Sequence, residues 1–232
     1  MNPIISLRNV VVGYEHNPIL YDVNFDVYPQ DFLGIVGLNG CGKTTLIKAM
    51  LGQIKPMKGT VSFYRNGKRV DKLNIGYLPQ NNIIDKKFPI SVYEVIRSGL
   101  QKNKLINKRL TSEESARIHE IVERIELTGF EKKAIGELSG GQLQRVLLGR
   151  AIVSQPEVIV LDEPNTYVDK HFERELYDII SEVNKSCAII IASHKLEYIF
   201  AHAKNIIGVN NGQIFYHSNN EPNTQWIKKI FE

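Results

Sequence analysis

Residues 37–51 combine glycines, a lysine and threonines at a spacing that suits the binding of an anion. Their sequence, GLNGCGKTTLIKAML, fits the pattern G-x-x-x-x-G-K-S/T, with Gly37, Gly42, Lys43 and Thr44 at the fixed positions. The glycines let several backbone N–H groups point at one phosphate, and the positive end of the following helix adds to this attraction. In this pattern the lysine reaches the β- and γ-phosphates and the threonine hydroxyl binds Mg²⁺. An ordinary glycine turn is the weaker interpretation, because chance gives these four positions in roughly one chain in a hundred of this length.

Two adjacent acids, Asp162 and Glu163, follow the apolar run 158–161. A strand that ends in two acids places both at its carboxyl edge, where α/β proteins bind ligands. Asp162 is predicted to hold Mg²⁺ through water, and Glu163 to act as general base on the attacking water. In isolation such a pair more often starts a loop, but downstream of a phosphate-binding loop the catalytic interpretation is favoured.

Residues 138–142, with the sequence LSGGQ, offer a second place where an anion could bind. Ser139 suits the N-cap of a helix, and Gly140 and Gly141 would let an anion approach its first N–H groups. An ordinary capped helix is the better interpretation of this segment alone. The phosphate loop and the acid pair make the functional interpretation the stronger one.

The segments around these residues predict the elements that position them. The apolar run 32–36 predicts a buried strand before the glycine loop, and residues 46–51 predict an amphipathic helix after it. Asp169 suits the N-cap of a later helix, which separates two of three further apolar strands. Units of strand, helix and strand imply a parallel sheet with right-handed crossovers. The three further strands are predicted at 158–161, 188–192 and from 206 to 209.

Three regions depart from this alternation. Helices predicted at 91–99 and 111–127, the second with a Thr111–Glu114 capping box, form a candidate helical subdomain. The tail, 217–232, is polar with a weakly helical end and receives no function. Four other strands are predicted to form a small antiparallel sheet beside the phosphate-binding core, at 4–12, 20–28, 60–64 and 73–78.

The composition is that of a soluble globular protein. The chain has 232 residues, of which 43% are hydrophobic and 23% charged. Apolar runs are too short to span a membrane, and the first residues lack the apolar core of a signal peptide. Two cysteines, Cys41 and Cys187, favour a reducing compartment over a disulfide framework.

The net charge of +4 is unevenly distributed. Between residues 86 and 109 only one acid, Glu94, accompanies seven basic residues: Lys86, Lys87, Arg97, Lys102, Lys104, Lys108 and Arg109. A solvated surface is slightly favoured for this segment. A surface that faces anionic lipid headgroups is the functional alternative. Nucleic acid is less favoured, since the segment contains no known reader motif.

The phosphate loop, the LSGGQ segment and the acid pair, in that order, resemble the nucleotide-binding subunit of an ATP-binding cassette (ABC) transporter, from about residue 4 to residue 213. The resemblance implies an α/β fold: a P-loop NTPase (RecA-like) parallel-sheet core with an antiparallel β subdomain and an inserted helical subdomain. It places the β subdomain at about 1–29 and 58–76, and the helical subdomain at about 87–146. The core takes about 30–57, 77–86 and 147–215, and a tail takes 216–232.

The resemblance also implies roles for individual residues. Tyr14 matches the aromatic that stacks on adenine, Gln80 the glutamine that senses the γ-phosphate and Mg²⁺, and His194 the switch histidine that contacts the γ-phosphate. Catalysis is thus assigned to Glu163, His194 and Gln80, and binding of Mg²⁺ to Thr44, Gln80 and Asp162. ATP is assigned to Tyr14, Gly37, Asn39, Gly40, Cys41, Gly42, Lys43, Thr44, Thr45, Ser139, Gly140, Gly141, Gln142 and Asp169.

Two residues depart from the family pattern. Val168 stands where a leucine usually precedes the aspartate, and Lys195 follows His194 where an acid is common. Neither removes a catalytic group, so hydrolysis is expected. The resemblance further implies a head-to-tail homodimer, in which ATP lies between Lys43 of one copy and Ser139 of the other.

One cassette without a membrane domain is typical of bacterial importers and of some exporters. Residues 76–80, Asp85 and 88–92 resemble the corresponding segment in cassettes of zinc, manganese and iron importers. This resemblance implies a transmembrane permease, a solute-binding protein and a cytoplasmic location at the inner face of the cell membrane. Ile83, Ile84 and Phe88 could form the surface that docks on the permease, although ordinary burial of Phe88 is equally favoured.

Other functions remain as alternatives. Cassettes of siderophore or vitamin B12 importers come next, followed by those of lipid or peptide exporters. A non-transport cassette is disfavoured, because the sequence has no long heptad run, no paired CxxC and only one phosphate loop. A nucleotide-binding regulator without hydrolysis is disfavoured by Glu163 and His194.

Cys41 lies inside the phosphate loop, near Lys43 and the start of a helix. Both neighbours lower the pKa of a thiol. The sequence therefore predicts that Cys41 is alkylated quickly and that ATP blocks the reaction.

Overall fold

The computed structural model describes residues 2–80, 88–100, 110–165, 170–218 and 224–231. Several residues named above lie outside these ranges: Ile83, Ile84, Asp85, Val168, Asp169 and six of the seven basic residues of segment 86–109, all but Arg97. The strands are β1 (Ile5–Tyr14), β2 (Asn17–Val27), β3 (Phe32–Gly37), β4 (Lys58–Arg65), β5 (Lys68–Val70), β6 (Ile75–Leu78), β7 (Val158–Asp162), β8 (Ala188–Ala192), β9 (Asn205–Asn210) and β10 (Gln213–Ser218). The helices are α1 (Lys43–Met50), α2 (Val92–Ser98), α3 (Ser112–Arg124), α4 (Gly140–Ile152), α5 (Lys170–Asn184), α6 (Leu196–His202) and α7 (Thr224–Phe231).

A six-stranded sheet carries the candidate site. Its order is β10-β9-β3-β8-β7-β6, and within it the edge strand β10 alone runs antiparallel to its neighbour. Alternate residues of β8 enter two different cores, since Ile189 and Ile191 face the helices α2 to α7, and Ile190 faces α1 and the second sheet. Burial on both faces explains why the strands are continuous apolar runs. The predicted parallel-sheet core is confirmed.

The second sheet is antiparallel, with the order β2-β1-β4-β5. It confirms the predicted small antiparallel sheet, with one correction. The strand predicted at 73–78 does not belong to it, because β6 pairs parallel to β7 in the central sheet, with Ile75 opposite Val158. A side chain at Gly76 would come within 2.1 Å of the Ala151 carbonyl oxygen, so glycine lets β6 pack directly beneath α4.

The helical region packs on α4. Both predicted helices are present, and each starts with a capping box, formed by Ser91 with Glu94 in α2 and by Thr111 with Glu114 in α3. Gly149 of α4 faces the apolar side chains of α2 and α3, and a Cβ there would lie 3.0 Å from Ile121. This close packing fixes the direction of α4, whose first turn carries the LSGGQ segment.

The end of the chain contains two elements that the sequence did not predict, β10 and α6, and a third, α7, that corresponds to the helical end predicted for the tail. β10 pairs with β9 as a hairpin, and α6 follows the His194 loop. Trp226 and Ile230 of helix α7 are buried. Ile230 occupies the space above Gly208, because a Cβ added at Gly208 would lie 2.0 Å from Ile230 Cδ1. Among the described helices, none combines the length and the apolar character needed to cross a membrane.

Candidate nucleotide-binding site

The phosphate loop joins the end of β3 to the start of α1. At Gly37 the backbone has a φ of 152°, and a Cβ would lie 2.4 Å from the Val209 carbonyl oxygen of β9. Gly40 has a φ of 80° and faces open space, since a Cβ there would meet no atom within 4 Å. Both conformations favour glycine, and Gly40 leaves room for a ligand to approach the backbone.

Lys43 lies beneath this loop and is only 8% exposed. Its Nζ donates to the carbonyl oxygens of Gly37, at 2.9 Å, and Leu38, at 3.0 Å. Both hydrogen-bond partners are neutral carbonyls, so this buried ammonium can still attract an anion that enters the loop. The loop and Lys43 therefore fit a phosphate group.

Asp162, the last residue of β7, is almost fully buried next to the first turn of α1. Thr44 Oγ1 donates to Asp162 Oδ2 at 3.0 Å. Burial raises the pKa of Asp162, although the hydrogen bond from Thr44 and the charge of Lys43 act in the opposite direction. A hydroxyl and a carboxylate oxygen at this distance are the hard oxygen ligands that Mg²⁺ prefers.

Glu163 turns away from the strand with a φ of 52°, which is unusual for a residue other than glycine. Its N–H donates to the Ala192 carbonyl oxygen at 2.8 Å, so the strained turn is fixed to β8. Glu163 Oε1 lies 3.0 Å from His194 Nε2, and the His194 N–H donates to Glu163 Oε2 at 3.3 Å. The side chain of Glu163 is 6% exposed, whereas that of His194 is 48% exposed.

Burial raises the pKa of Glu163, while His194 and Lys43 lower it. A raised carboxyl pKa makes Glu163 a stronger base than an exposed glutamate. Oε1 lies close to His194 Nε2 and has no hydrogen bond of regular geometry among the described residues. In its ionised form this carboxylate can accept a proton from a water molecule.

These groups meet at a cavity of about 150 Å³. Nine of the ten residues that line it were predicted site residues, and the tenth is Ile19. The lining consists of Ile19, Asn39, Gly40, Gly42, Lys43, Thr44, Thr45, Gln80, Asp162 and Glu163. The cavity is smaller than a typical ligand pocket. It therefore fits the phosphate chain of a nucleotide, whose adenine would lie outside it.

Tyr14 is the residue predicted to stack on the adenine, and 42% of Tyr14 is exposed. Lys48 Nζ donates to its hydroxyl at 3.3 Å and lies 5.5 Å from the centre of its ring. The Lys48 ammonium therefore lies over one face of the Tyr14 ring, and this cation–π contact helps to hold the ring in position. Lys48 lies one helical turn after Thr44 and was not among the predicted site residues.

The LSGGQ segment lies apart from this cavity. Ser139 caps α4 by accepting from the Gln142 N–H at 3.2 Å, and Gln142 Oε1 accepts from the Ser139 N–H at 3.1 Å. Ser139 and Gly140 are exposed, and in the described part of the chain the segment contributes nothing to the lining. The predicted residues that do not line the cavity are Tyr14, Gly37, Cys41, Ser139, Gly140, Gly141, Gln142 and His194, and Asp169 lies outside the described residues.

The structure corrects the prediction that the pKa of the Cys41 thiol is lowered. Burial raises the pKa of this thiol, although Lys43 and backbone N–H groups act to lower it. The predicted low pKa is wrong, because half-burial against the loop outweighs the nearby charge.

Gln144 is a residue that sequence reasoning missed. It is 3% exposed, and its Nε2 donates to the carbonyl oxygen of Pro164 at 3.0 Å. The bond connects α4 to the residue after Glu163. A signal was present, since Gln144 shares a helical face with Leu148 and Ala151 and is a polar residue on an apolar stripe.

Known proteins match this chain along most of its length. The ABC transporter family matches residues 20–166. The zinc uptake system ATP-binding protein ZurA of Listeria innocua is 34% identical over 220 residues, which are 93% of this chain and 86% of ZurA. The high-affinity zinc uptake system ATP-binding protein ZnuC of Bacillus subtilis is 32% identical over 213 residues, which are 90% of this chain and 92% of ZnuC.

Solved structures agree with the fold. A nucleotide-free ATP-binding cassette from an ABC transporter superposes with a TM-score of 0.78 at 25% identity, covering 98% of this chain and 94% of its own. A metal-chelate type ABC transporter in an inward-facing conformation gives a TM-score of 0.84 at 24% identity, covering 99% and 89%. Because the family match spans more than half of the chain and includes the phosphate loop and the acid pair, this chain belongs to the ABC transporter family, of which it is an ATP-binding cassette.

Proposed function

We propose that this chain is the ATPase subunit that powers import of a divalent metal ion, with zinc as the first candidate and manganese or iron next. The observation that carries the ATPase part is the convergence of Lys43, Thr44, Asp162 and Glu163 on one cavity. The metal part is supported by the relatives named above, which are zinc uptake proteins. The transported ion is cargo and would not contact this chain.

In the proposed reaction, the backbone of the phosphate loop and Lys43 hold the phosphates of ATP. Thr44, Asp162 and Gln80 would hold Mg²⁺, which neutralises phosphate charge when bound. Glu163 accepts a proton from a water molecule as the water oxygen bonds to the γ-phosphorus, and the bond to the β-phosphate oxygen breaks. His194 keeps Glu163 in place and contacts the γ-phosphate.

We further propose that a second copy completes each site. Ser139 lies on an exposed helix end and does not line the cavity of its own chain. A head-to-tail dimer would bring Ser139, Gly140 and Gly141 of one copy onto the ATP of the other. Asp169 is proposed to take part in this interface.

Phe88 supports a docking surface for a permease. It is 60% exposed, although it is a large apolar residue at the edge of the helical region. Exposure favours docking over burial inside this chain, the alternative that the sequence left open. We propose a transmembrane permease at this surface, a solute-binding protein in the complete system, and a location at the inner face of the cell membrane.

Reconstitution tests the proposal. The chain is purified with its membrane partner, placed in proteoliposomes and assayed for phosphate release and for uptake of radioactive zinc. ATP-dependent zinc uptake that requires the solute-binding protein supports the proposal. Uptake of a ferric siderophore or vitamin B12 instead of zinc, or outward movement of a lipid or peptide, would replace metal import by that alternative.

A further inference from the structure

Lys195, the basic residue after His194, forms an ion pair with helix α5. Its side-chain Nζ donates to Glu173 Oε1, and its backbone N–H donates to Ser193 Oγ at 3.1 Å. Half of the Lys195 side chain is exposed, whereas the side chain of Glu173 is 18% exposed. Glu173 is the more enclosed partner, so loss of Lys195 would leave a largely buried carboxylate without its cation.

Lys195 directly follows His194, one of the predicted catalytic residues. His194 contacts Glu163, but almost half of its side chain is exposed. Ser193, before it, is buried at the end of β8, and Lys195, after it, is tied to Glu173. The loop that carries His194 is therefore anchored on both sides of the histidine.

An acid at position 195, as is common in the family, would face Glu173 and repel it. This chain has a basic residue at 195 and an acid at 173, so the two side chains carry opposite charges and attract each other. Since Glu173 holds the Lys195 ammonium, the lysine is engaged with α5 in this structure. This arrangement favours an anchoring role over direct contact with a phosphate.

We propose that Lys195 and Glu173 are a positioning pair for ATP hydrolysis. Their bond holds the His194 loop against α5, which keeps the imidazole within reach of Glu163. The inference rests on the proposed function, because it takes Glu163 and His194 as the catalytic groups.

Steady-state ATP hydrolysis by the purified full-length chain tests this pair. Lys195→Ala and Glu173→Gln are each expected to lower kcat about three- to fivefold with an unchanged KM for ATP, the size of effect that a partly exposed ion pair allows. Lys195→Arg should retain activity. Lys195→Glu should be slower than Lys195→Ala, and adding Glu173→Lys to it should restore turnover.

Glu182→Gln is the matched control. It makes the same substitution on the same helix and removes the pair with Arg124 at the far end of α5. It is expected to hydrolyse ATP at the rate of the unaltered chain.

Four results would overturn the inference. A higher KM with unchanged kcat would assign Lys195 to ATP binding. Failure of the reversed pair to recover activity, or a lowered thermal midpoint that parallels every loss of turnover, would reduce the pair to support of the fold. Unaltered turnover in Lys195→Ala and Glu173→Gln would show that the pair is not needed.

His194→Ala and Glu163→Gln in the same assay distinguish this failure from failure of the proposed function. If these two variants turn over normally, the catalytic roles themselves are wrong. If they are inactive while the pair variants are normal, the positioning role alone is wrong.

Discussion

Thr44 Oγ1 and Asp162 Oδ2 lie 3.0 Å apart although 118 positions separate them in the chain. The bond joins the first turn of α1 to the end of β7, two elements that the central sheet brings side by side. It places a hydroxyl and a carboxylate where one small cation could contact both groups, which is the basis of the first prediction.

Asp162→Asn is expected to raise the Mg²⁺ concentration that ATP hydrolysis requires and to lower turnover by about 10- to 100-fold, as loss of a group that orients a metal site does. Titration of phosphate release with Mg²⁺ measures both effects. Asp178→Asn, on the exposed side of α5, serves as the control and should behave like the unaltered chain. An unchanged Mg²⁺ requirement in Asp162→Asn would exclude Asp162 from the metal site.

Glu163→Gln is expected to lower turnover by about 10²- to 10⁴-fold, the usual loss when a general base is removed. ATP binding should persist, because the phosphate loop is unchanged. The variant should therefore accumulate as an ATP-bound dimer, which light scattering after size-exclusion chromatography detects. A Glu163→Gln chain that stays monomeric at saturating Mg-ATP would contradict the dimer, and one that hydrolyses ATP at the unaltered rate would contradict the role of Glu163 as general base.

The pKa shifts of the two thiols predict how cysteine alkylation depends on pH. Burial raises the pKa of Cys187 to about 12 and raises that of Cys41 as well. A raised pKa leaves less thiolate at neutral pH, so alkylation of Cys41 should be slower than that of free cysteine and should increase about tenfold per pH unit from pH 7 to 9. ATP should block it, and Cys187 should stay unlabelled while the chain is folded. Mass spectrometry of the peptides measures each site, and equal labelling of Cys41 with and without ATP would place the thiol outside the nucleotide site.

Gln144→Leu removes the donor that satisfies the Pro164 carbonyl oxygen inside the protein. The expected loss in the free energy of unfolding is about 1–3 kcal/mol, the cost of a buried polar group without a partner. Urea denaturation measures the change, and Gln213→Leu, on an exposed position of β10, provides the control. Turnover should also fall, because Pro164 follows Glu163. Gln144→Leu with unaltered stability would show that the bond contributes little.

Phe88→Ser is expected to reduce copurification of the permease and to leave phosphate release by the isolated chain unchanged. The reason is that Phe88 is exposed and is not among the residues that line the cavity. Tyr216→Ser, which alters another exposed aromatic on β10, is the matched control and should keep both properties. Normal recovery of the permease with Phe88→Ser would remove Phe88 from the docking surface.

The sequence by itself determined what depends on neighbours along the chain. Gly37, Gly42, Lys43 and Thr44 lie within eight positions, so their spacing alone predicts a phosphate loop. Capping boxes at Ser91 and Thr111 likewise predict helix starts from residues three positions apart. The family resemblance, rather than spacing, supplied the roles of Gln80 and His194.

Tertiary structure decided what depends on burial and on contacts between distant residues. β6 joined the central sheet because Gly76 fits beneath α4, which no local pattern of residues 73–78 could indicate. The pKa of Cys41 rises because packing around the loop outweighs the charge of Lys43. The contacts of Glu163 with His194 and of Lys195 with Glu173 likewise exist only once β7, β8 and α5 pack together, because charge and burial depend on distances in space.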